Sequence, residues 1–363
     1  LRCSWWTWRL NIRMSDFKIN SIATKQGQHG PVIAGVSTIN STGCMKIPSG
    51  PTEFRGGRGR GVTGGGADSP ASTQMSHISM IEIATAGDST DFGDLTEARR
   101  DAGGVGSSVR GVFAAGGYPS PKTTIDYLTF SSSGGANDFG EYGISLFQNS
   151  GASNNVRGIF AGGVKPSPTL GFLNIEFITI PSTGNSNEFG SLSSARWGAA
   201  GVNSPTRAIF AAGAGTPAYL KVIEFVTIAT LGDSQDFGEV STAARNIFPA
   251  CSSTRGVFAG GQTSSSSPYG FQNTIEFITM ATLGNTSDFG DLTIIRSRGA
   301  GVSNSLRGCF IGGQSASPSP TVDLKSIDFI TIASTGNAQD FGDIDALRES
   351  MQGASDSHGG IGE

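Results

Sequence analysis

The chain has 363 residues, of which 54 are glycine and only 15% are charged, and its net charge is −4 at pH 7. So much glycine excludes a protein built of long helices, since each glycine in a helix interior costs about 1 kcal/mol relative to alanine. The mild negative charge argues against a nucleic-acid-binding protein, and no apolar run approaches the roughly 18 residues of a membrane span. The four cysteines are scattered and show no C-x-x-C spacing, so they predict neither a zinc site nor a disulfide framework.

The chain begins with LRCSWWTWRLNIRM, residues 1–14, in which arginines interrupt the tryptophans. A signal peptide needs an uninterrupted apolar stretch, so we interpret these residues as an upstream extension or a disordered segment and Met14 as the start of the protein. A tryptophan-rich surface anchor is the other interpretation. Residues 15–54 contain alternating strand-like patches and predict a β-rich attachment segment.

From residue 55 onwards the sequence repeats. The motif D-F-G, or E-F-G in one copy, occurs at intervals of 47, 50, 48, 52 and 52 residues, and its central residues are Phe92, Phe139, Phe189, Phe237, Phe289 and Phe341. A protein kinase uses D-F-G once, to hold magnesium, together with a glycine-rich loop, a paired lysine and an H-R-D loop that this sequence lacks. Six copies therefore indicate architecture and not a catalytic metal site.

Each repeat contains four predicted strands. In the fifth repeat these are RGVFAGG from Arg255, TIEFITMAT from Thr274, SDFGDLT from Ser287 and RSRGAGVSNS from Arg296. Four short strands in each unit predict the blade of a β-propeller. We therefore expect an all-β fold of six four-stranded blades, in units of about 55–109, 110–156, 157–206, 207–254, 255–306 and 307–363.

The two ends of the repeat array complement each other. The first unit has no small-residue strand before RGRGVTGGG, and the last unit ends with a spare one, LRESMQGASDS, residues 347–357. The C-terminal strand is therefore predicted to complete the first blade and close the ring, which removes the exposed sheet edges that favour aggregation. The segment FRGGRGRG from Phe54 resembles an RNA-binding RGG sequence, but we interpret it as the lead-in to the first strand, with no nucleic-acid partner.

Two charged positions also recur. A buried acid is costly unless it is paired, so each acid that follows an isoleucine is predicted to meet an arginine of its own or of the neighbouring blade. The alternative is that both groups face solvent at the outer edge. The acids of the D-F-G-D turns could bind calcium, but Asp and Asn also cap turns, and we predict no metal and no cofactor. The acids are Glu82, Asp126, Glu176, Glu224, Glu276 and Asp328, and the arginines that open the strand before the paired glycines are Arg60, Arg110, Arg157, Arg207, Arg255 and Arg307.

The order of these features resembles a kelch repeat. An apolar strand ends in a glycine pair such as Gly260-Gly261, the next strand carries Phe277, the third carries Phe289, and an arginine precedes a small-residue strand. Kelch repeats usually have Tyr and then Trp at the two aromatic positions, where this chain mostly has Phe. The resemblance runs from about residue 55 to the C-terminus and implies a kelch-like propeller.

The regular GNxxDFGDLTxAR pattern of the repeats, together with the short β-rich segment before them that ends in PSGPTEFRGGRGRG, also resembles kelch-like proteins encoded by marine bacteriophages. That resemblance implies a tail- or fibre-associated virion component on a virion or extracellular surface. Residues 15–54 would then contact other virion proteins. The alternatives are a cytoplasmic protein-interaction scaffold, as many kelch proteins are, and a galactose-oxidase-like enzyme. The oxidase would need a copper site with two histidines and tyrosines near the axis. The chain has only His29, His77 and His358, of which His29 lies outside the predicted ring and His358 lies near the end of the chain. No nucleophile–base pattern is visible either, so we predict no catalysis.

The loops between the two middle strands of each predicted blade vary most among the repeats. Variable loops on a rigid ring are a common way to build a binding surface. The sequence therefore predicts contacts with a host glycan or protein, although solvated connectors are the alternative interpretation. The aromatic residues in these loops are Tyr118, Phe172, Tyr219, Tyr269 and Phe271.

Overall fold

A computed structural model describes residues 59–68, 73–166, 168–264, 266, 269–315 and 321–361. The segments predicted as an extension (1–14) and as an attachment segment (15–54) lie outside the described residues. Within the described ranges the chain forms only strands, bridges, turns and bends. No helix in this part of the chain has the length and hydropathy that a membrane crossing requires.

The strands form six antiparallel four-stranded sheets, and each sheet is one blade. Blade 1 contains β1 (Arg60–Gly64), β2 (His77–Glu82) and β3 (Thr90–Asp94), and blade 2 contains β4 (Gly103–Gly106), β5 (Arg110–Ala114), β6 (Lys122–Thr129) and β7 (Asn137–Leu146). Blade 3 contains β8 (Ser150–Ser153), β9 (Arg157–Ala161), the loop hairpin β10 (Val164–Pro166) and β11 (Thr169–Gly171), then β12 (Asn174–Thr179) and β13 (Asn187–Ser191). Blade 4 contains β14 (Ala200–Asn203), β15 (Arg207–Ala211), β16 (Val222–Thr227) and β17 (Gln235–Glu239).

Blade 5 contains β18 (Phe248–Cys251), β19 (Arg255–Ala259), β20 (Thr274–Thr279) and β21 (Ser287–Asp291). Blade 6 contains β22 (Ala300–Ser303), β23 (Arg307–Ile311), the loop hairpin β24 (Gln314–Ser315) and β25 (Val322–Asp323), then β26 (Ser326–Thr331) and β27 (Gln339–Asp343). The last strand, β28 (Gln352–Ser355), returns to blade 1 and pairs with β1, so that Val62 lies opposite Ala354. The predicted six-bladed fold and its closure by the C-terminal strand are confirmed.

The innermost strands β28, β4, β8, β14, β18 and β22 contact one another in that order around the axis. They approach so closely that a Cβ atom at the second residue would overlap the carbonyl oxygen of the preceding inner strand. This is why the predicted small-residue strands line the axis. The positions at issue are Gly104, Gly151, Gly201, Gly301 and Gly353, and blade 5 has Pro249 at this position.

The D-F-G motif also has a structural explanation. In every blade the fourth strand has a β-bulge, and the phenylalanine of the motif is its extra residue. In blade 3, for example, Ile175 and Glu176 of the third strand lie opposite Gly190 and Glu188, and Phe189 between them has no partner. The other blades have the same register shift, and all six phenylalanine rings are buried. The glycine lets the backbone of the next blade approach, because a Cβ on Gly140 would lie 2.5 Å from the oxygen of Gly184. Gly184 N–H in turn donates to the Phe139 carbonyl at 2.7 Å. D-F-G is thus a contact between blades.

The arginines that open the second strands also join neighbouring blades. In blades 2 to 6 each guanidinium stacks 4.5–4.8 Å from the centre of a ring on the third strand, such as Phe177 beneath Arg157. Each then donates to a turn carbonyl of the next blade, and Arg307 of blade 6 reaches Ala84 of blade 1 at 2.9 Å. Arg60 donates to Phe130 of blade 2 in the same way, so the six contacts form a complete circle.

An ion pair was predicted for the acid of each third strand, and the structure shows a buried one in blades 2, 4 and 6. The partner is not the strand-opening arginine but a fully buried arginine of the connector that enters the blade: Arg99 Nη2 lies 2.8 Å from Asp126 Oδ2. Burial lowers the pKa of these arginines, and the partner carboxylates raise it. The other two pairs are Arg196 with Glu224 and Arg296 with Asp328. In blades 3 and 5, which lack the connector arginine, Glu176 and Glu276 accept hydrogen bonds from Ser186 and Thr286.

In blade 1 Glu82 meets an arginine of its own blade, as predicted, but it lies at the exposed end of the strand and is not the equivalent of the buried acids. The register places Ser79, and not Glu82, at the position of Glu176, and Glu82 is exposed and pairs with Arg60 at 3.1 Å. The carboxylate comes instead from Asp345, which accepts from Ser79 Oγ, while the buried Arg348 donates to Ser79. The other blades have a hydroxyl or glycine where Asp345 lies, so carboxylate and hydroxyl have exchanged places. Burial lowers the pKa of Arg348 to about 10, although Asp345 raises it.

Replacement of Gly201 by alanine is expected to lower the free energy of unfolding by about 2 kcal/mol or more, because the new methyl group overlaps the Gly151 carbonyl. Urea unfolding of the variant measures this loss. The matched control is Gly135→Ala, whose Cβ would meet only the Asp94 oxygen at 3.4 Å and should change stability by less than about 0.5 kcal/mol. Equal stability of the two variants would contradict the crowding of the inner strands.

Arg196→Leu should destabilise the protein by about 3 kcal/mol, because Glu224 would remain buried without its cation. Leucine fits this position, since Leu146 occupies it in the preceding connector. The double variant Arg196→Leu/Glu224→Leu should recover at least half of the loss, because two apolar groups can replace a buried ion pair at little cost. Thermal unfolding followed by circular dichroism tests both; a double variant no more stable than the single one would rule out the ion pair as the cause.

Candidate functional site: the upper face of the ring

The two faces of the ring differ in how regular their loops are. We call upper the face at which the inner strands begin and lower the face at which they end. On the lower face, turns of three residues follow β4, β8, β14, β18 and β22, for example 107–109 and 304–306. The upper loops between second and third strands range from seven residues (115–121) to 14 (260–273). Variation is therefore concentrated on the upper face, as the sequence predicted for these loops.

A closed ring of backbone hydrogen bonds surrounds the axis on the upper face. Its members precede the inner strands and all have positive φ between 54° and 61°. Each N–H donates to the carbonyl oxygen of the previous member, at N–O distances of 2.6–3.3 Å, and the circle closes from Asp101 to Ser350. We call these residues the axial ring: Asp101, Gln148, Gly198, Asn246, Arg298 and Ser350.

Below the axial ring lies a cavity of about 110 Å³ along the axis. Its wall consists of the inner strands, and Asp101, Asn246 and Arg298 line its upper end. On the lower side His358 lines it. Pockets for drug-sized ligands hold roughly 300–1,000 Å³, so this cavity is too small for such a ligand and has room for a group the size of a small ion.

The C-terminal segment lies against the lower ends of the inner strands, where His358, Gly359 and Gly360 are buried. The imidazole Nε2 lies 2.9 Å from the Gly106 carbonyl, to which it donates, and Nδ1 accepts from Asn203 Nδ2 at 2.8 Å. Gly360 N–H donates to the same Nδ1 at 3.1 Å. Neutral imidazole therefore satisfies all of these contacts, and burial lowers the pKa of His358 to about 4.

Protonation of His358 is expected to weaken the fold at low pH. Its pKa is about 4 in the folded chain and 6.5 in the unfolded one, so the stabilising contribution is complete above about pH 6.5 and falls as the pH drops towards about 4. The full effect is about 3 kcal/mol. Urea unfolding of the wild type and of His358→Gln should show a stability difference that shrinks by that order between about pH 7 and pH 4.5. A difference that stays constant with pH would contradict this assignment.

The predicted aromatic contacts all lie in upper loops but differ in exposure. Tyr118 is 43% exposed and packs beside Phe147, with ring centroids 5.3 Å apart. Phe172, Tyr219 and Tyr269 are half-buried. Phe271 is only 7% exposed and stacks beneath Tyr269, so it supports the loop from below and its prediction as a contact residue is wrong. The four remaining rings lie in the loops of blades 2 to 5.

Charged residues surround the upper end of the cavity, which we call the axial mouth. They were not predicted from the sequence. Glu349 accepts from Arg298 Nη1 at 3.2 Å and lies 3.5 Å from Arg100 Nη1. Asp101 lies 3.6 Å from Arg100 Nε. Arg245 lies over the Tyr219 ring, 5.4 Å from its centre. The repeat gave no signal for these side chains, because they occupy a given repeat position in only one or two blades.

The carboxylates of the D-F-G turns cap backbone N–H groups. Asp91 Oδ1 accepts from Gly93 N–H at 3.0 Å, and Asp138 Oδ1 accepts from Gly140 N–H at 3.1 Å. In the part of the chain that the structure describes, no three His, Cys, Asp or Glu side chains are grouped so that they could hold a metal ion. The described histidines have structural partners, since His77 Nε2 lies 2.9 Å from Asp345 Oδ2 and His358 contacts the lower ends of the inner strands.

Comparison with known proteins supports the fold. No protein-family model matches the chain, and no curated protein is similar to it at a significant level. Among solved structures 329 chains match. One of these, titled "Structure of YjhT", superimposes with a TM-score of 0.59 at 12% sequence identity and covers 77% of this chain and 96% of that chain. Because one fold serves many functions, a likeness at this identity shows the propeller fold alone.

Proposed function

We propose that this protein is a non-catalytic binding propeller that contacts a host glycan or protein through its upper loops. The observation that carries the proposal is the asymmetry of the two faces. Below, the turns repeat in length, with three residues between first and second strands in blades 2 to 6 and seven between third and fourth strands; above, the loops vary from seven to 14 residues and carry aromatic side chains. The paired strands on either side of each loop determine where it leaves the ring, and variable loops on a rigid scaffold are a common way to build a binding surface.

The aromatic side chains suit such a contact. Tyrosine offers a flat apolar face and a hydroxyl group at a low cost in side-chain entropy. Tyr118 is exposed, and Arg100 holds its ring in place with the guanidinium carbon 5.1 Å from the ring centre. The half-buried Tyr219 and Tyr269 extend the aromatic character to blades 4 and 5.

The resemblance of the repeats to kelch-like proteins of marine bacteriophages supports a place on a virion, in a tail or a fibre. In that setting the upper loops would meet the host surface. An intracellular kelch-type scaffold is the competing function, and it would use the same loops for a cytosolic protein. The absence of catalysis is part of the proposal and rests on the structural partners that His77 and His358 already have.

A printed glycan array probed with the purified chain tests this proposal, with Tyr118→Ala, Tyr219→Ala and Tyr269→Ala as variants. Loss of an aromatic contact should weaken binding about tenfold or more. The matched control is Leu231→Ala, which removes an apolar side chain that is even more exposed than Tyr118 (59% against 43%) from a turn on the lower face and should leave binding unchanged. Binding that survives all three tyrosine variants would rule out the upper loops. An empty array together with a co-purifying cytosolic protein would favour the scaffold.

A further inference from the structure

We propose that the upper mouth of the axial cavity binds an oxyanion, the carboxylate, phosphate or sulfate group of a small ligand, between the guanidinium groups of Arg245 and Arg298. This site lies at the axis, although Arg245 also contacts the ring of Tyr219, one of the loop aromatics. It does not depend on the function proposed above.

The charge at the mouth is unbalanced. Three guanidinium groups (Arg100, Arg245 and Arg298) face two carboxylates (Asp101 and Glu349), which leaves one positive charge in excess. Glu349 already forms ion pairs with Arg298 and Arg100, and Asp101 forms one with Arg100. Among the described residues, no carboxylate lies within ion-pair distance of Arg245, which stacks on Tyr219 instead. An anion beside Arg245 would balance the charge.

Four of the unpaired polar groups at the mouth are hydrogen-bond donors. The Nε atoms of Arg245, Arg298 and Arg100 and the amide nitrogen of Asn246 are buried and have no hydrogen-bond partner among the described residues. Buried donors in folded proteins are nearly always satisfied. The Nε atoms of Arg99, Arg196, Arg296 and Arg348 are unpaired as well, but at the mouth an unpaired amide donor, Asn246 Nδ2, adjoins Arg245, which has no carboxylate partner among the described residues. An oxyanion carries several acceptor oxygens and no donor, which matches this set.

Arg245 directly precedes the axial-ring residue Asn246, and Arg298, the next member of the ring, donates its N–H to Asn246 O at 3.3 Å, so the two arginines lie on neighbouring connectors. Burial lowers the pKa of Arg245 and Arg298 lowers it further, while Tyr219 and Asp101 raise it. A second cation nearby is unfavourable for both groups unless an anion lies between them. The cavity of about 110 Å³, which Asn246 and Arg298 line, is smaller than the pockets of drug-sized ligands and has room for a group the size of a small oxyanion.

Isothermal titration of the full chain with sodium sulfate, phosphate or acetate, at constant ionic strength against chloride, tests the proposal. The wild type should bind at least one of the three at a single site. Preference for acetate identifies a carboxylate ligand, and preference for sulfate or phosphate a tetrahedral one. Arg245→Gln should weaken that binding by about tenfold or more, and Arg245→Lys should fall in between, because lysine keeps the charge but loses the planar fork.

The matched control is Lys221→Gln, which removes one positive charge from the same face, where Lys221 Nζ donates to Ser241 O at 2.7 Å. It should bind as the wild type does. If Arg245→Gln does not fold, NMR of the arginine Nε–H groups of the wild type gives the answer, because the anion must shift the signals of Arg245 and Arg298 more than that of Arg157. No binding of any of the three anions, or a folded Arg245→Gln that binds like the wild type, would overturn the proposal.

Discussion

The close approach of six inner strands around one axis is the constraint on which the rest of the structure depends. Five of the six inner strands lie so near their neighbours that a single methyl group at the second residue would collide with a carbonyl oxygen. The glycines remove that obstacle, and the axial ring then joins the same strands through backbone hydrogen bonds alone. Since backbone bonds do not depend on side chains, the six ring positions are free to differ, and they range from glycine to arginine.

Polar contacts between the blades repeat around the ring, whereas polar contacts within the blades differ from one blade to the next. The outer circle of arginines repeats in all six blades, because every blade offers a turn carbonyl to the one before it. The interior pairs do not repeat in this way. A blade that lacks the connector arginine satisfies its acid with a hydroxyl group, and blade 1 exchanges the positions of Ser79 and Asp345. What is preserved is the satisfaction of a buried polar group and not a particular residue.

The sequence was sufficient to predict the repeat, the four strands of each blade, the small residues at the axis and the closing strand. These features recur at a fixed period, so one unit explains the others. Glu82 has the predicted arginine partner but is not the equivalent of the buried acids, because the IEI of blade 1 resembles the Ile-acid pair of the other units while lying three residues further along the strand. Arg99 and its counterparts were missed because only four of the six connectors contain them. The residues of the axial mouth were missed because each blade contributes a different side chain, so that periodicity contains no information about them. The burial of Phe271 depends on how one irregular loop folds over it, and no local pattern shows that.

The return of the last strand to the first blade determines the order in which the ring can form during synthesis. A ribosome makes β1, β2 and β3 first, yet their sheet lacks its innermost strand until residues 352–355 have left the exit tunnel. Blades 2 to 6 are each contiguous in the chain and can assemble as they emerge, whereas blade 1 must wait with an open edge. The earliest-made part of the propeller is therefore the last to be finished, and a truncated nascent chain would expose the unpaired side of Val62 and its neighbours to other chains.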